Sequence, residues 1–534
     1  MAKFYITTAI DYANSSPHTG TAYEKIGADA IARWKRLQGH DVHFVMGMDE
    51  HSINVVKKAE SLGMDPEKYC DEMEPKFTGL WKALNISYDD FIRTTEKRHF
   101  VSATEFFRRV HAKGDIYKAK YTGLYCVGCE AYLKASDLVD GKCKNHGTPP
   151  QAIEEENWFF RLSKYSQAMV EHIEKHPDFV QPDVRRNEVL NVAKDGLEDI
   201  SISRSTFKFG IPLTCDPAHV MYVWFDALVN YISAVGFASD EAKFTKWWPA
   251  DLHVIGKDIT RFHCLLWPAM LMSAGVALPK QVWGHGWVHY KGLKMSKSTG
   301  HLLDPFDVIE PHGADALRYF LLREVAWDRD GDFTWEAFIA RYNADLANDI
   351  GNLLHRTLKM VNTYCGGAIP ATTEPGGTDA DLVAHMDALP RDVEALMEKQ
   401  DLSGALTRIW DAVRRANSYI EESQPWALNK QAKAGRVAAV MTNLATSIGR
   451  ISALLHSFLP ATAEKIREQL GLPAKPDRIP GKWEPLPAGH KVKEGAVLFP
   501  RIETEKKEAG GQGQAQGQGK RKGKDQGGAA EKSK

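Results

Sequence analysis

Cysteine and long apolar runs are scarce in this sequence of 534 residues. Its seven cysteines are an odd number, and Cys70, Cys215, Cys264 and Cys365 each stand alone, so the sequence does not predict a disulfide framework. The longest uncharged apolar stretch, 264–278, has 15 residues and contains a proline, whereas a membrane-spanning helix needs about 20. We therefore expect no membrane segment, and the cysteine usage favours a reducing cytoplasm.

An excess of charge is also lacking. The 68 lysines and arginines balance the 69 aspartates and glutamates, which leaves a net charge of −1, so any nucleic-acid surface must be local. The apolar start of the chain is ended by Asp11 without a small-residue cleavage pattern, so no signal peptide is expected. With 43% hydrophobic and 26% charged residues the chain is typical of folded proteins, and its length predicts roughly three to four domains.

Hydrophobic periodicity predicts a parallel α/β sheet in the first half of the chain. An apolar strand over 4–10, an amphipathic helix over 21–37 and a second strand over 43–48 form a strand, helix, strand unit. We interpret the apolar runs at 220–225 and 252–255 as later strands of the same sheet. In the second half, long helical patterns such as those at 402–420 and 437–458 predict a helix bundle.

The end of the chain has few apolar residues. Residues 509–534 are mainly Gly, Gln, Ala and Lys, and we predict that they are disordered. Six basic and two acidic residues give this stretch a charge of +4. Such a tail either concentrates RNA weakly through phosphate contacts or is only a solvated low-complexity end or cloning remnant.

Two motifs suggest phosphate chemistry. Pro17-His18-Thr19-Gly20 lies where the first strand gives way to the helix, and a helix start with a glycine and a histidine can bind phosphate, although alone this pattern is more often incidental. The second motif is Lys294-Met295-Ser296-Lys297-Ser298, which follows Gly292. Its two lysines could neutralise charge that develops on a leaving pyrophosphate. Chance produces a fixed five-residue match in roughly one chain of several thousand, which disfavours a merely solvated loop.

The order of these motifs makes the chain resemble the class I aminoacyl-tRNA synthetases. The residues between them resemble the methionyl-tRNA synthetases, and they are Tyr12-Ala13-Asn14, Asp49-Glu50-His51, Val223–Ala227, Gly256-Lys257-Asp258, Phe262-His263 and Trp267. The resemblance covers about residues 3–470. It implies a ligase in which the methionine carboxylate attacks the α-phosphate of ATP and a ribose hydroxyl of tRNA then takes the acyl group.

The resemblance also implies a set of site residues. For catalysis and ATP binding they are Pro17, His18, Gly20, Thr21, Lys294, Met295, Ser296, Lys297 and Ser298. For methionine they are Ile10, Tyr12, Asp49, Trp224, Tyr231, Phe262, His263 and Trp267. In the family the counterpart of Asp49 takes the α-ammonium group, and those of Tyr231 and His263 lie by the sulfur. Thr21 departs from the pattern, since many members have a second histidine there.

Elementary chemistry agrees with the methionine assignment. A carboxylate at the carboxyl end of a parallel strand faces the ligand crevice, which gives Asp49 an independent rationale. Aromatic side chains suit a polarizable thioether. Considered singly, Trp224 or Trp267 would be interpreted as an ordinary core residue.

A cysteine cluster lies in the middle of the chain. Cys126 and Cys129 are followed, after thirteen residues, by Cys143 and His146. Three thiolates and an imidazole suit one tetrahedral, structural zinc ion, and the alternatives are free thiols or a knuckle that has lost its metal. The resemblance supports zinc, and an insertion of about 90 residues leaves little room for the editing domain of the valyl, leucyl and isoleucyl enzymes.

The helical half contains a candidate for RNA recognition. Asn352 and Arg356 are four residues apart and would share a helix face. The resemblance implies that they read the CAU anticodon together with Pro425-Trp426, because an amide and a guanidinium can read base edges while an indole stacks on a base. Without the family context, an exposed helix pair and a packed tryptophan would be the preferred interpretation.

These inferences predict an α/β fold with a Rossmann-type parallel sheet, a zinc-knuckle insertion, a helical anticodon-binding bundle and a disordered tail. The predicted segments are catalytic 1–113, insertion 114–203, catalytic 204–290, lysine loop and stem contact 291–343, anticodon bundle 344–475, extension 476–503 and tail 504–534. The expected partners are methionine, ATP with Mg²⁺, and the methionine tRNAs including the initiator. The cysteine usage favours the cytoplasm. We expect a monomer, because the sequence ends without the oligonucleotide-binding domain that some family members use to dimerise.

Two rival functions remain. A catalytically silent, synthetase-like protein could keep the bundle to bind tRNA, and a nucleotidyltransferase could share the histidine and glycine turn without needing the bundle. Pyrophosphate exchange into ATP that depends on methionine would separate all three.

Overall fold

Strands and helices alternate in the first part of the chain, and helices dominate the second. The computed structural model describes residues 1–127, 131–133, 138–144, 147–294, 303–371 and 374–503. The strands in these residues are β1 (Lys3–Thr8), β2 (Asp11–Tyr12), β3 (Asp41–Asp49), β4 (Asp90–Arg93), β5 (Ile116–Cys126), β6 (Ala131–Leu133), β7 (Leu138–Val139), β8 (Lys142–Cys143), β9 (Gln151–Phe160), β10 (Val180–Gln181), β11 (Ile200–Ser201), β12 (Ser203–Arg204), β13 (Pro212–Leu213), β14 (Asp216–Met221), β15 (Leu252–Gly256), β16 (Val282–His285), β17 (Val288–Tyr290), β18 (Leu293–Lys294) and β19 (Gly331–Phe333).

The α-helices in these residues are α1 (Thr19–Leu37), α2 (Ile53–Ser61), α3 (Pro66–Ala83), α4 (Lys97–Ala112), α5 (Ser166–Lys175), α6 (Asp183–Lys194), α7 (Val223–Ala227), α8 (Asn230–Ser233), α9 (Glu241–Trp247), α10 (Trp267–Ala274), α11 (Phe306–His312), α12 (Ala314–Glu324), α13 (Trp335–Arg341), α14 (Asn352–Cys365), α15 (Asp379–Glu398), α16 (Leu402–Ser423), α17 (Pro425–Lys430), α18 (Ala434–Leu455) and α19 (Pro460–Gln469). Short 3-10 or π-helical turns at Leu162–Tyr165, Lys257–Ile259 and Phe262–Leu266, and a ten-residue π-helix at Tyr342–Gly351, adjoin several of them.

A seven-stranded parallel sheet is the centre of the first domain. Its strand order is β10, β16, β15, β1, β3, β2, and β4 lies beside β3. The register places Ile6 of β1 opposite Leu252 of β15 on one side and Phe44 of β3 on the other. The inner strands are largely buried along their length, as expected when helices cover both faces of a parallel sheet. The predicted α/β architecture is confirmed.

One predicted strand is wrong. The run 220–225 does not join the parallel sheet, because β14 ends at Met221 and pairs antiparallel with β12 and β13 in a small separate sheet. The chain then turns directly into α7. A short, continuous apolar run fits a buried helix as well as a buried strand, so periodicity alone could not decide between them.

The segment between the two halves of the sheet has its own long antiparallel hairpin. Strands β5 and β9 pair from Ile116 opposite Phe160 to Tyr125 opposite Gln151, and β6 and β11 extend this sheet. The same segment also contributes β10, which pairs with β16 at the edge of the parallel sheet.

The predicted helix bundle is confirmed. Helix α16 covers the pattern at 402–420, and α18 covers the pattern at 437–458 as far as Leu455, where the helix ends. They pack with α14, α15 and α19 around a core that contains the fully buried Trp410. Helix α18 is the one described helix that is long and apolar enough to cross a membrane, but 94% of its most apolar stretch is buried in the bundle. It is therefore explained as a core helix.

A buried arginine joins the bundle to the sheet domain. Arg318 of α12 forms an ion pair with Asp29 of α1 at 2.7 Å, and it donates to the carbonyl oxygens of Phe458 at 2.7 Å and Leu84 at 3.2 Å. Burial opposes ionisation of Asp29, but Arg33 and Arg318 outweigh this effect and lower the pKa of its carboxyl. One side chain thus connects α1, the loop after α3 and the turn between α18 and α19.

Breaking this contact should destabilise the whole molecule. Removing one partner of a buried ion pair typically costs about 3–5 kcal/mol, and because Arg33 still faces Asp29 we expect Arg318→Met to cost about 3 kcal/mol in urea unfolding. As a control, Arg108→Met removes an exposed arginine that pairs with Glu105 and should leave the urea midpoint nearly unchanged. Equal midpoints for the two variants would contradict the role of Arg318.

Candidate active site

A cavity of about 310 Å³ opens at the carboxyl edge of the parallel sheet. Its lining includes Tyr12 from the segment after β1, Asp49 at the end of β3, Gly256 at the end of β15 and His285 at the end of β16. This is the crevice in which open parallel sheets bind ligands. The cavity is therefore the candidate active site.

Most of the predicted small-molecule site residues that can be placed lie on this cavity. They are Ile10, Tyr12, His18, Gly20, Thr21, Asp49, Trp224, Tyr231 and His263. Phe262 is not on the lining but stacks on Trp224, with ring centres 3.8 Å apart. Trp267 is fully buried behind the cavity, with its ring 6.2 Å from that of Tyr231 and 5.7 Å from that of Phe106. These two side chains support the lining from behind.

The first motif forms the N-terminus of α1. The helix begins at Thr19, two residues before the predicted start, because the His18 ring caps it by accepting a hydrogen bond from the Gly20 backbone N–H at 3.1 Å. A β-carbon at position 20 would lie 2.9 Å from the His18 ring, so this cap requires glycine. The Thr19 hydroxyl donates to the carbonyl oxygen of Leu303 at 2.7 Å, which ties the helix start to the segment after the lysine motif. The positive end of the helix thus borders the cavity.

A fixed polar pair lies on the otherwise aromatic side of the cavity. The Tyr231 hydroxyl and Nε2 of His263 are 2.7 Å apart, and Nδ1 of His263 lies 3.0 Å from the carbonyl oxygen of Ile259. Because a carbonyl only accepts, Nδ1 carries the hydrogen and Nε2 accepts from the tyrosine. Burial lowers the pKa of His263 to about 4, so the ring is neutral at neutral pH. The pair is held in one hydrogen-bonding arrangement.

A buried charge cluster borders the cavity and was missed by the sequence analysis. The Lys25 ammonium lies 2.7 Å from Glu24 and 3.0 Å from Asp11, and it donates to the carbonyl oxygen of Ala9 at 2.9 Å. Glu24 also contacts His285 at 3.0 Å. The adjacent charges at 24 and 25 look like a solvated helix face, but α1 is buried on nearly all sides. The position of His285 at the end of a strand was the one available signal.

A single ammonium cannot neutralise both carboxylates of this cluster. Burial opposes ionisation of Glu24, but Lys25 and His285 outweigh it and lower its pKa. For Asp11, burial outweighs Lys25 and raises the pKa to about 7, and the charge of Glu24 adds to the rise. Asp11 is therefore a cavity carboxyl that titrates near neutral pH.

The lysine motif lies largely outside the described residues. The backbone of Lys294 pairs with that of His289 in a hairpin that starts at Val288 on the cavity lining, while Met295, Ser296, Lys297 and Ser298 are among residues 295–302, which are not described. Gly292 turns this hairpin with a positive φ of 75° that favours glycine, and its N–H donates to Asp332. The motif thus begins at the rim of the cavity.

The proposed metal ligands are only partly described. Cys126 at the end of β5 and Cys143 in β8 are both buried, and Cys129 and His146 lie outside the described residues. Within the part of the chain that the structure describes, no group of three or more His, Cys, Asp or Glu side chains is arranged to hold a metal ion.

The candidate RNA-recognition residues lie together on the bundle. Asn352 is exposed at the start of α14, and the Arg356 guanidinium one turn later lies 5.9 Å from the centre of the Trp426 ring and pairs with Glu421 at 2.7 Å. Trp426 is half-buried and packs against the bundle core. Pro425 begins α17 and is buried.

Two family models match almost the whole chain. The family described as "tRNA synthetases class I (M)" matches residues 4–143 and 129–358. The family described as "Anticodon binding domain of methionyl tRNA ligase" matches residues 369–518.

Individual relatives agree with these families. The chain is 48% identical to a methionine–tRNA ligase of Caldanaerobacter subterraneus over 95% of its own length and 80% of the relative, and 43% identical to that of Thermotoga maritima over 94% and 81%. Among solved structures it resembles the Mycobacterium tuberculosis methionyl-tRNA synthetase bound by methionyl-adenylate, with a TM-score of 0.90, 41% identity and coverage of 93% of this chain and 100% of that one. The TM-score with the apo form is 0.85 at 39% identity, with coverage of 94% and 99%.

The raised pKa of Asp11 predicts a pH-dependent effect on stability. An acid whose folded-state pKa is raised contributes stability that is complete below its ordinary pKa and is lost as the pH rises through the folded value, here about 7. Asn cannot ionise, so the variant Asp11→Asn does not lose this stability. The melting temperature of the variant minus that of the wild type should therefore be larger at pH 8 than at pH 5. Thermal unfolding at the two pH values checks this, and a difference that is the same at both would show that Asp11 does not titrate in this range.

Proposed function

Because this chain belongs to the methionyl-tRNA synthetase family, we propose that the cavity at the carboxyl edge binds methionine and ATP side by side. The chain is an aminoacyl-tRNA ligase. It activates methionine with ATP to methionyl-adenylate and pyrophosphate, and then transfers the methionyl group to the 3′ end of its tRNA. The observation that carries the site assignment is the convergence of Asp49, the aromatic wall and the start of α1 on one cavity.

In this proposal methionine occupies the aromatic side of the cavity. Asp49 takes its α-ammonium group, and Tyr12, Trp224 and Ile10 enclose its side chain. The locked pair of Tyr231 and His263 lies by the sulfur, and because His263 is neutral it adds no charge beside an apolar thioether. Phe262 and Trp267 hold the lining in place from behind.

ATP occupies the rest of the cavity. His18, Gly20 and Thr21 meet its phosphates at the positive end of α1, and the lysine motif covers the pyrophosphate, with Pro17 shaping the turn. The nucleoside lies toward Gly256 and His285, where glycine allows close approach and the strand ends provide polar groups. A threonine hydroxyl at position 21 donates a hydrogen bond but brings no positive charge. Mg²⁺ accompanies ATP as part of the substrate.

Catalysis in this site is mainly positioning and charge stabilisation. A methionine carboxylate oxygen bonds to the α-phosphorus while the bond from this phosphorus to the bridging oxygen of the β-phosphate breaks. The electron pair leaves with pyrophosphate, whose growing charge is neutralised by Lys294 and Lys297. No protein nucleophile takes part. The tRNA ribose hydroxyl then attacks the acyl carbon and releases AMP.

A structural zinc ion is a separate proposal. Cys126, Cys129, Cys143 and His146 would hold it, since three thiolates and one imidazole suit tetrahedral zinc without an open position. Two observations support the fit: Cys126 and Cys143 are buried, and each is the last residue of a strand in the same segment. The ion would stabilise the insertion and take no part in the reaction.

Anticodon reading is assigned to Asn352, Arg356 and Trp426. The proximity of Arg356 to Trp426 supports a shared surface, and the exposed Asn352 extends it along the same helix. We also propose that the protein is a cytoplasmic monomer and that it uses the methionine tRNAs, the initiator included. Its functional segments are proposed to have the limits predicted from the sequence.

The function is tested by pyrophosphate exchange and aminoacylation on one preparation. Exchange should require methionine, and transfer should require the methionine tRNAs. A silent tRNA-binding protein would catalyse neither step, and a nucleotidyltransferase would exchange pyrophosphate without methionine.

The lysine motif yields the first prediction for this function. Lys297→Ala should lower kcat for pyrophosphate exchange on the order of a hundredfold while the KM for methionine stays within about twofold, because the contact forms chiefly in the transition state. Lys291→Ala is a matched control, since this exposed lysine belongs to the same hairpin but not to the motif. Unchanged exchange in the Lys297 variant would refute the role.

The zinc proposal predicts about one zinc ion per chain in purified protein. Cys129→Ser should lose the metal and loosen the insertion, because structural zinc binding supplies folding free energy. Cys215→Ser, which changes an exposed cysteine outside the cluster, should keep the metal. Metal-free wild-type protein with full activity would exclude the site.

Trp426 yields a prediction about tRNA alone. A base that stacks on an aromatic ring contributes roughly 1–3 kcal/mol, so Trp426→Ala should weaken the use of tRNA about ten- to a hundredfold and leave pyrophosphate exchange unchanged. As a control, Trp483→Ala removes another half-buried tryptophan, one that packs on Arg450, and should lower the melting temperature without this selective loss. Equal losses of both activities together with a lower melting temperature would mean that Trp426 only packs.

A further inference from the structure

One wall of the cavity is built from two very short helices. Residues 223–233, here called the pocket wall, contain α7 and α8, which have five and four residues. The pocket wall contributes five residues to the cavity lining: Trp224, Ala227, Leu228, Asn230 and Tyr231. Helices this short do not persist on their own, so the position of the pocket wall depends on tertiary contacts.

A histidine behind the pocket wall connects its two helices. His99 of α4 is fully buried, and its Nε2 lies 2.6 Å from Oδ1 of Asp226 in α7. Its Nδ1 lies 3.1 Å from the hydroxyl of Ser233 in α8. A single imidazole thus bridges both helices from the side away from the cavity.

The same aspartate connects the pocket wall to the other side of the cavity. Oδ2 of Asp226 lies 2.7 Å from Nδ1 of His51, which follows Asp49 by two residues. Burial opposes ionisation of Asp226, but His51 and His99 outweigh it and lower the pKa of the carboxyl to about 2. An ionised carboxylate only accepts hydrogen bonds, so both rings donate to it.

From these contacts we infer that His99 and Asp226 are positioning residues that set the spacing between the pocket wall and Asp49 and thereby the affinity for methionine. The inference rests on the proposed function, in which Asp49 and the pocket wall hold the two ends of this amino acid. Neither residue lines the cavity, so both act through others. Their effect should concern methionine and not ATP, because the start of α1 and the ends of β15 and β16 do not belong to this network.

Two variants alter the network with little change in volume. Asp226→Asn keeps the shape but has one acceptor oxygen for two donating rings, so one of the two contacts is lost. His99→Gln replaces the ring with an amide, which cannot reach both Asp226 and Ser233. Ser102→Ala is the matched control, because Ser102 lies one turn further along α4, is buried, and donates to the carbonyl oxygen of Phe237 outside the pocket wall at 2.7 Å.

Pyrophosphate exchange is measured against methionine and against ATP, together with the melting temperature. Losing a buried hydrogen bond to a charged group should raise the KM for methionine about tenfold in Asp226→Asn and His99→Gln, with the KM for ATP within about twofold. Ser102→Ala should leave the ratio of the two KM values at the wild-type value. Ser233→Ala serves if the other two variants do not fold, because it removes only one end of the bridge. A smaller rise in its KM for methionine, at an unchanged melting temperature, would then support the inference.

Two results would overturn the inference: an unchanged KM for methionine in every folded variant, or a parallel rise in both KM values. Absence of methionine-dependent exchange in the wild-type protein would instead refute the proposed function itself.

Discussion

The parallel direction of the central strands is the constraint from which the rest of the site follows. Because β1, β3, β15 and β16 run the same way, the segments after them meet at one edge, although they are separated by up to about 280 residues of sequence. The methionine-binding candidates and His18, Gly20 and Thr21 all border or support that edge. Burying polar groups there carries a desolvation cost that is offset by the ion pairs of Lys25 and by the contacts of Asp226.

Helix α1 extends this constraint to the second domain. It starts at the cavity, where His18 caps it, and one of its inner residues, Asp29, forms the buried pair with Arg318. Arg318 in turn holds the backbone of Phe458 in the bundle. A chain of contacts therefore connects the bundle to the His18 end of the cavity. In the proposed function this geometry sets the span between the anticodon and the site of chemistry.

Much of this arrangement is predictable from the sequence. Strands β1 and β3 and helix α1 between them follow from hydrophobic periodicity. The place of Asp49 follows from the rule that ligands bind at the carboxyl ends of parallel strands, whereas Tyr12 was named from the resemblance alone. The apolar run at 220–225 could not be resolved, because full burial removes the alternation that distinguishes a strand from a helix. The burial of Lys25 and Glu24 was missed, because adjacent charged residues in a helix have the same sequence pattern whether they are buried or solvated. The partner of Glu24, His285, is some 260 residues away in the sequence. The bridge of His99 depends in the same way on a contact across 127 residues.

The structure of the protein with a non-hydrolysable methionyl-adenylate analogue tests the account most directly. We predict one analogue in the cavity at the carboxyl edge, with its ammonium group at Asp49, its thioether between Trp224 and Tyr231, and its adenosine toward Gly256 and His285. An analogue bound outside this cavity, or bound within it in the reverse orientation, would contradict the account.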